Sequence, residues 1–327
     1  MSKTSETENN MSLCANCGIG EEESDNLKTC TACKMVKYCS RDCQIAHRPQ
    51  HKKACKKRAA ELHDEKLFKQ PPPEEDCPIC MIRLPSLITG RTYMACCGKL
   101  ICCGCIYTVQ SRAFEAGRLK EDDICPFCRT PTPFSDEEIN KRYKRRVELN
   151  DPIGMNGLAS YYANGQYGIP QNQAKALELY RRAEELGNAE AYYNIGSAHI
   201  RGSGVEQDEK KARHYWELAA RGVEVDQKKA RHYYELAAME GHVNARHNLG
   251  VCEGEAGNHD RALKHFMIAT KSGKTGSLNN IEHLYKHGYT TKDDYEKALC
   301  CYQLYVDEIK TDQRDEATVF NDANKYY

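Results

Sequence analysis

Small and aromatic residues recur at helical spacing through the second half of the chain. Four segments share this pattern: Ala176 with Tyr180, Ala212 with Trp216, Ala262 with Phe266, and Ala298 with Tyr302. Small residues let two helices approach closely, and aromatic rings fill the space between helix pairs. The pattern therefore predicts an all-α array of paired helices, with a repeat of about 37 residues where it is clean.

Partner helices are predicted at Ala191–Gly196 and Ala245–Gly250. Glycines mark the turns between paired helices, at Gly165, Gly168, Gly202 and Gly204. Over residues 151–312 the pattern resembles Sel-one-like repeats, which are relatives of the tetratricopeptide repeat. The resemblance implies a helical solenoid whose concave face binds protein segments.

One half of a repeat is copied. Residues 204–220 nearly recur as residues 222–238, so the offset is about 18 residues, or about five helical turns. The copy either extends the preceding helix in phase or forms an extra helix that breaks the stack. Both alternatives predict an irregular solenoid near residues 220–240.

A linking helix is predicted over residues 135–150, because Ser135 is followed by Glu138 in the pattern of a capping box. The helix carries a basic run of Lys141, Arg142, Lys144, Arg145 and Arg146. Such a run can be a nuclear signal or a nucleic-acid patch, but it is more often a solvated helix face. Glutamates in the same helix dilute the charge and favour the solvated face.

The charge balance narrows the class of partner. The chain has 327 residues, with 47 basic and 47 acidic side chains and no net formal charge. This balance argues against a general nucleic-acid or membrane-surface binder. No apolar run approaches the about eighteen residues of a transmembrane helix. Residues 1–13 are polar and lack the apolar core of a secretory signal, so we expect a disordered tail and a cytoplasmic or nuclear protein.

Sixteen of the nineteen cysteines lie between Cys14 and Cys128. In a reducing compartment such a cluster is typical of metal ligands and not of disulfides. The first group of ligands lies in residues 14–55 and consists of Cys14, Cys17, Cys30, Cys33, Cys39, Cys43, His51 and Cys55. Each pair can bind a tetrahedral zinc ion through a tight turn. So short a segment buries too little apolar surface alone, and zinc would supply roughly 10–16 kcal/mol per site.

The first group resembles a MYND-type zinc finger, on Cys30-x-x-Cys33, Tyr38-Cys39-Ser-Arg-Asp-Cys43 and His51-Lys-Lys-Ala-Cys55. The resemblance implies two interleaved zinc sites: Cys14, Cys17, Cys39 and Cys43 hold one ion, and Cys30, Cys33, His51 and Cys55 hold the other. Arg48 stands where the family often has a tryptophan, which weakens an inference of peptide specificity but not of metal binding. His47 is surplus, and we interpret it as packing beside the site.

A charged helix and a Pro-rich linker, residues 56–76, precede a second cysteine-rich segment, residues 77–134. Its four pairs are Cys77 and Cys80, Cys96 and Cys97, Cys102 and Cys105, and Cys125 and Cys128. Cys77-Pro-Ile-Cys80 and Cys125-Pro-Phe-Cys128-Arg129 resemble the two ends of a RING finger. Lys99 departs from that family, because a histidine ligand is usual there and a protonated lysine has no lone pair for zinc.

Adjacent Cys96 and Cys97 can replace the absent histidine, as in all-cysteine RING variants. The resemblance then implies a cross-brace in which Cys77, Cys80, Cys102 and Cys105 hold one zinc ion and Cys96, Cys97, Cys125 and Cys128 hold the other. Cys103 is left over as a bystander. Alternatively, one of the adjacent pair is idle and the second site is incomplete.

The RING resemblance implies a ubiquitin ligase, which performs no covalent chemistry and holds a charged conjugating enzyme in a reactive geometry. Ile79 and Pro126 match positions that contact the conjugating enzyme. Arg129 matches a cation that bonds both ubiquitin and enzyme, a task that suits an arginine. Each also has a simpler interpretation, as a core residue, a turn former and a solvated charge respectively.

The sequence as a whole predicts small zinc-stabilised modules, MYND-like and RING-like, followed by an all-α repeat solenoid and a C-terminal tail over residues 313–327. We expect four zinc ions and a RING-type ubiquitin ligase whose repeats recruit a protein substrate or peptide. The alternative is a non-catalytic zinc-finger and repeat scaffold. A lysine methyltransferase ranks third, because no such domain fits in the remaining chain.

Overall fold

The structure, a computed structural model, describes residues 13–20, 27–71, 74–86, 88–115, 124–201 and 231–320. They belong to two compact units, residues 1–69 and residues 70–327, and each unit is described by itself. The predicted N-terminal tail, except Leu13, and most of the predicted half-repeat copy lie outside the described residues. Within the described ranges, no helix is long and apolar enough to cross a membrane.

The first unit contains a small hairpin and one long helix. Its elements are strand β1 (Lys28–Thr29), strand β2 (Lys37–Tyr38), antiparallel to β1, and helix α1 (Arg41–Leu67). Ser40 caps α1 by accepting a hydrogen bond from the backbone N–H of Cys43 at 3.1 Å. Helix α1 continues unbroken past Cys55. The charged helix predicted to follow the finger is therefore the second half of the finger's own helix.

In the second unit, residues 74–115 fold around cysteine side chains. The elements are a 3₁₀ turn (Ile88–Gly90), an antiparallel hairpin of β3 (Arg91–Met94) and β4 (Lys99–Cys102), and helix α2 (Cys103–Glu115). Leu84 and Ile101 are buried among the side chains of Cys77, Cys102 and Cys125. A core with so few apolar side chains gains little free energy from the hydrophobic effect alone. Its stability therefore depends on a metal ion bound by the cysteines.

Helices form most of the rest of the described part of the second unit, apart from the turns of residues 124–134. The first five are α3 (Asp136–Glu148), α4 (Pro152–Asn164), α5 (Gln173–Glu185), α6 (Ala189–Arg201) and α7 (residues 231–239). The next five are α8 (Val243–Glu255), α9 (His259–Lys271), α10 (Thr275–Lys286), α11 (Lys292–Ile309) and α12 (Asp312–Phe320). Neighbours pack as pairs, α4 with α5 and α8 with α9. The predicted solenoid of paired helices is confirmed.

Glycines bring aromatic rings against the helix backbone, as the small-and-aromatic pattern predicts. A Cβ atom added to Gly157 on α4 would lie 2.4 Å from the Tyr143 ring on α3. One added to Gly250 on α8 would lie 2.6 Å from the Phe266 ring on α9. Both distances are too short for a real contact, so these rings occupy the space that a larger residue would need.

Gly250→Ala and Gly254→Ala are expected to change stability in opposite directions, although both residues lie on α8. A Cβ atom at Gly254 would meet only the Ala262 methyl at 3.8 Å, so alanine gains about 0.5–1 kcal/mol of helix propensity. At Gly250 the Phe266 ring must move, which costs about 1–3 kcal/mol. Thermal unfolding of the full chain measures both, and a stabilising Gly250→Ala would contradict the proposed packing.

The prediction of a tail is wrong for residues 313–320, because they belong to α12. Helix α12 packs against α2, and its Arg314 and Ala317 side chains are buried. On the preceding helix α11, the Tyr305 hydroxyl accepts a hydrogen bond from the Ser86 backbone N–H at 2.9 Å. The C-terminal helices therefore pack on the cysteine-rich segment rather than trailing from the array.

Candidate metal centres

The structure groups sixteen side chains into four sets of four, and within each set the possible ligand atoms lie within 4.8 Å of one another. The first unit holds Cys14, Cys17, Cys39 and Cys43 in one set, and Cys30, Cys33, His51 and Cys55 in another. The second unit holds Cys77, Cys80, Cys102 and Cys105 in one set, and Cys96, Cys97, Cys125 and Cys128 in another. These are the groupings that the sequence predicts, and both units show the crossed order of pairs.

Sulfur-to-sulfur distances within the sets suit tetrahedral zinc. A zinc–sulfur bond of about 2.3 Å gives a tetrahedron with edges of about 3.8 Å. The Cys30 and Cys55 sulfurs are 3.8 Å apart, as are those of Cys80 and Cys102, and the Cys96 and Cys128 sulfurs are 3.4 Å apart. A disulfide bond would need about 2.05 Å, and all nineteen cysteines are free thiols. The donor sets therefore fit zinc.

Helix α1 contributes one side chain, Cys43, to the set that contains Cys14, and two side chains, His51 and Cys55, to the set that contains Cys30. Cys43, His47, His51 and Cys55 follow one another at four-residue intervals along it, so their side chains share one face. The Nε2 atom of His51 lies 3.2 Å from the Cys33 sulfur. His47 instead shares a hydrogen bond of 3.1 Å between its Nδ1 atom and the Tyr38 hydroxyl, and its ring lies nearly parallel to that of His51. His47 thus packs beside the site, as predicted.

Four of the cysteine pairs share one backbone turn. The residue after the second cysteine has a left-handed conformation in each case: Gly18, Lys34, Met81 and Arg129, with φ between 56° and 74°. Its N–H donates to the carbonyl of the first cysteine at 2.9–3.0 Å. The turn points both sulfurs to the same side of the chain, which is why a short Cys-x-x-Cys stretch can offer two ligands to one ion.

The adjacent pair, Cys96 and Cys97, reaches one set through a different turn. The backbone N–H groups of Cys97 and Gly98 both donate to the Met94 carbonyl, at 3.1 and 2.7 Å, and Gly98 has φ +73°. This turn brings both sulfurs toward Cys125 and Cys128, with Cys97 3.9 Å from Cys125. The structure therefore favours a complete set of Cys96, Cys97, Cys125 and Cys128 over the alternative in which Cys96 or Cys97 is idle.

Lys99 and Cys103 lie outside the sets. The Lys99 ammonium lies 6.0 Å from the centre of the Phe127 ring, so it does not take the place of the usual histidine. Cys103 is buried in a separate apolar cluster with Tyr305, Val306 and Ile309, although it directly follows Cys102. The interpretation of Cys103 as a bystander to the metal sets agrees with this position.

Because the thiols of one set lie so close together, their pKa values move in opposite directions. Hydrogen bonds with the Cys102 and Cys105 side chains lower the pKa of Cys80 to about 6. Burial, together with the Cys128 side chain, raises the pKa of Cys96 well above its usual range. Four neighbouring thiolates repel one another, whereas a divalent cation between them removes that repulsion. Metal binding therefore releases protons from these sets.

The basic run on α3 is not uniformly solvated. Arg145, which pairs with Glu148 at 2.9 Å, is exposed and fits the solvated-face interpretation, whereas Arg142, which pairs with Glu138 at 2.9 Å, is mostly buried. Arg146 differs, because its guanidinium donates to the carbonyls of Ala95 and Cys96 at 2.7 and 2.6 Å. Sequence reasoning missed this contact and also the buried Arg314, since neither residue carries a motif.

The three residues matched to conjugating-enzyme contacts lie at the surface of the second unit. Ile79 is 40% exposed, which excludes its interpretation as an ordinary core residue. Arg129 is exposed and Pro126 is half-buried. Phe127, between Pro126 and Cys128, is also an exposed apolar side chain. The cysteine turns at residues 77–80 and 125–128 thus present apolar groups and one cation to solvent.

A cleft of about 460 Å³ lies between the β3–β4 hairpin and the repeat helices. Arg91, Tyr93 and Leu100 line it from the hairpin. The helical side supplies polar groups, among them Asn156, Ser160, Asn188, Glu190 and Asn244, beside apolar Ile153 and Val243. Such a lining offers amide and hydroxyl groups to the backbone of an extended peptide.

Comparisons with known protein families match two parts of the chain. The model of the MYND finger matches residues 14–55, and the model of the Sel1 repeat matches residues 152–188, 189–222 and 221–242. Neither match covers residues 77–134. No curated protein matches the chain significantly.

Three solved structures are similar to part of this chain. A Sel1 repeat protein from Oxalobacter formigenes is 20% identical over 57% of this chain and 70% of its own, with a TM-score of 0.39. The protective antigen c5321 of uropathogenic Escherichia coli, which displays an SLR fold, is 19% identical over 58% of this chain and 44% of its own, with a TM-score of 0.38. The immunity protein Pa5087 from Pseudomonas aeruginosa is 19% identical over 62% of this chain and 84% of its own, with a TM-score of 0.30.

Fold, donor sets and family matches together define a class. The chain has a cysteine-rich zinc-binding region with a MYND finger, followed by a helical Sel1-repeat solenoid. The combination of a zinc finger with Sel1 repeats is typical of a scaffold for protein–protein interaction.

Proposed function

We propose that residues 77–134 form an all-cysteine RING finger and that the protein is a ubiquitin ligase whose repeats recruit the substrate. The observation that carries this proposal is the pair of crossed cysteine sets, with Ile79 exposed between the first two ligands and Arg129 exposed after the last. Four zinc ions, one in each set, complete the molecule. A reducing compartment, cytoplasm or nucleus, suits nineteen free thiols.

In this mechanism the zinc ions hold the fold, and the surface residues position the reactants. Ile79 and Pro126 contact the conjugating enzyme by burying apolar surface. Arg129 donates to ubiquitin and to the enzyme through its planar guanidinium, which offers five N–H groups in a fixed fork. These contacts restrict the enzyme–ubiquitin thioester to a reactive geometry, and such restriction accelerates a reaction without covalent participation of the ligase.

The cleft beside the hairpin is the proposed substrate site. Its asparagine side chains, Asn156, Asn188 and Asn244, offer amide N–H donors to a peptide backbone, although the Asn188 oxygen already accepts a hydrogen bond from the Ala191 N–H at 2.8 Å. The Asn156 side chain already accepts a hydrogen bond from Asn194 at 3.0 Å, which fixes its orientation. Because the RING-like segment forms one wall of this cleft, a bound peptide lies within the same compact unit as the proposed conjugating-enzyme surface.

An autoubiquitination assay with a panel of conjugating enzymes tests the ligase. Ile79→Ala and Arg129→Ala are each expected to lower the rate at least about tenfold, since each removes about 1.4 kcal/mol or more of positioning energy. Metal content should not change, because neither residue is a ligand. Arg145→Ala, which removes an exposed arginine on α3, is the matched control and should retain full activity.

Two results would count against the proposal. Activity that survives both Ile79→Ala and Arg129→Ala would exclude the positioning mechanism. A chain that carries its full zinc content but shows no activity with any conjugating enzyme would favour the second candidate, a non-catalytic scaffold. The family matches favour the scaffold, because the MYND finger and the Sel1 repeat both match parts of the chain outside residues 77–134.

A further inference from the structure

Arg314 on α12 lies against the set formed by Cys77, Cys80, Cys102 and Cys105. Its side chain is fully buried. The Nη1 group donates to the Ile309 carbonyl at 2.6 Å, and the Nη2 group donates to the Arg83 carbonyl at 2.9 Å. A Cβ atom added to Gly104, which directly precedes Cys105, would lie 3.0 Å from the Arg314 Cγ atom. A cation from a distant helix thus packs against the backbone beside Cys105 and hydrogen-bonds the loop that follows Cys80.

A buried guanidinium is costly unless opposite charge compensates it. Zinc held by four thiolates carries a net charge of −2, because the four negative sulfurs outweigh the ion. The Cys77 set is largely buried: Cys77, Cys102 and Cys105 are each 5% exposed or less. A zinc–thiolate centre in this set would therefore supply the counter-charge of Arg314, and the guanidinium would offset the negative charge of the sulfurs.

Arg146 on α3 has the corresponding position at the other set. It donates to the carbonyls of Ala95 and Cys96, which belong to the sharp turn that aims Cys96 and Cys97 at one ion. Its Nη1 atom would lie 2.8 Å from a Cβ atom at Gly98, so the guanidinium closes over the turn. Arg146 thereby fixes the adjacent pair Cys96 and Cys97, which lacks the common cysteine turn.

We infer that Arg314 and Arg146 are positioning residues of the two zinc centres in residues 77–134, one for each centre. The two arginines come from opposite ends of the helical array, from α12 and α3. Each centre is thus held by the end of the array that supplies its arginine. This inference concerns metal retention and holds whether or not the protein is a ligase.

Zinc release from the full-length protein to an excess of chelator tests the inference. Arg314→Met and Arg146→Met keep an unbranched apolar stem and remove the charge and the donors. Each is expected to release one zinc ion about 10–100-fold faster than the unmodified chain, the usual effect of removing a partner of a metal ligand. Gln313→Met on α12 and Arg145→Met on α3 are matched controls and should release zinc at the unmodified rate.

Cadmium-113 NMR of the cadmium-substituted protein identifies the affected centre. Arg314→Met should shift the resonance assigned to the Cys77 set and leave that of the Cys96 set in place, and Arg146→Met should do the reverse. Arg314→Lys keeps the charge without the fork and should release zinc at a rate between those of the unmodified chain and Arg314→Met, so it serves as the test if the methionine variant does not fold. Unchanged release, or equal acceleration of every ion by either variant, would overturn the inference.

Discussion

Cys102→Ala is expected to remove one zinc ion from the protein, whereas Cys103→Ala is expected to leave the metal content unchanged. The two residues are adjacent, yet Cys102 belongs to a set of possible ligands and Cys103 packs with Tyr305 and Ile309. Losing one site forfeits a large part of about 10–16 kcal/mol of folding free energy. That amount is comparable to the whole stability of a typical domain, about 5–15 kcal/mol.

The expected structural result follows from the same contacts. Cys102→Ala should unfold the β3–β4 hairpin and loosen the packing of α2 against α12. Cys103→Ala should cost only the small cavity that one sulfur leaves, about 1 kcal/mol. Metal analysis of the purified chain and thermal unfolding measure both effects. Full zinc content in Cys102→Ala, or zinc loss in Cys103→Ala, would contradict the assigned sets.

Gly98→Ala should destabilise the second unit by about 2–4 kcal/mol, the sum of a strained backbone and a crowded side chain. The first part arises because Gly98 has φ +73°, where any residue with a Cβ atom costs about 1 kcal/mol or more. The second arises because the added carbon would lie 2.8 Å from Arg146 Nη1 and 2.9 Å from Asp151 Oδ2. Displacing Asp151 would also disturb the hydrogen bond that it accepts from the Tyr93 hydroxyl at 2.6 Å.

Gly288→Ala separates the cost of the strained backbone from the cost of the crowded side chain. Gly288 lies in the same unit with φ +75°, and an added Cβ atom would meet nothing within 4 Å. This variant should therefore show the backbone cost alone. The difference between the two variants in chemical denaturation then reports the crowding at the Cys96–Cys97 turn. Equal destabilisation would show that Arg146 and Asp151 yield without cost.

The ligand sets were predictable because zinc ligands come in pairs that are close in sequence. The spacing of Cys77 and Cys80, or of Cys125 and Cys128, reveals a local turn, and a family resemblance supplies the order in which pairs combine. The adjacent Cys96 and Cys97 were harder to interpret, since the turn that unites them depends on Gly98 and on Arg146, a residue about fifty positions away.

The helical array was predictable for a similar reason, because its small and aromatic residues repeat at helical spacing. The return of α12 onto the cysteine-rich segment was not. Arg314 reaches the Arg83 carbonyl across 231 positions of sequence, and the residues around it are polar and read as a tail. A periodic sequence pattern predicts how neighbouring helices pack, but it does not predict which distant segment the last helix contacts.

The attachment of both array ends to the cysteine-rich segment changes how the repeats can open. A solenoid whose terminal helices touch only one neighbour frays from its ends, and those ends exchange their amide hydrogens fastest. Here α12 packs on α2, and α3 reaches the Cys96 turn through Arg146. Fraying at either end must therefore break contacts next to a cysteine set, so we expect the terminal helices to exchange their amide hydrogens as slowly as the segment that holds them.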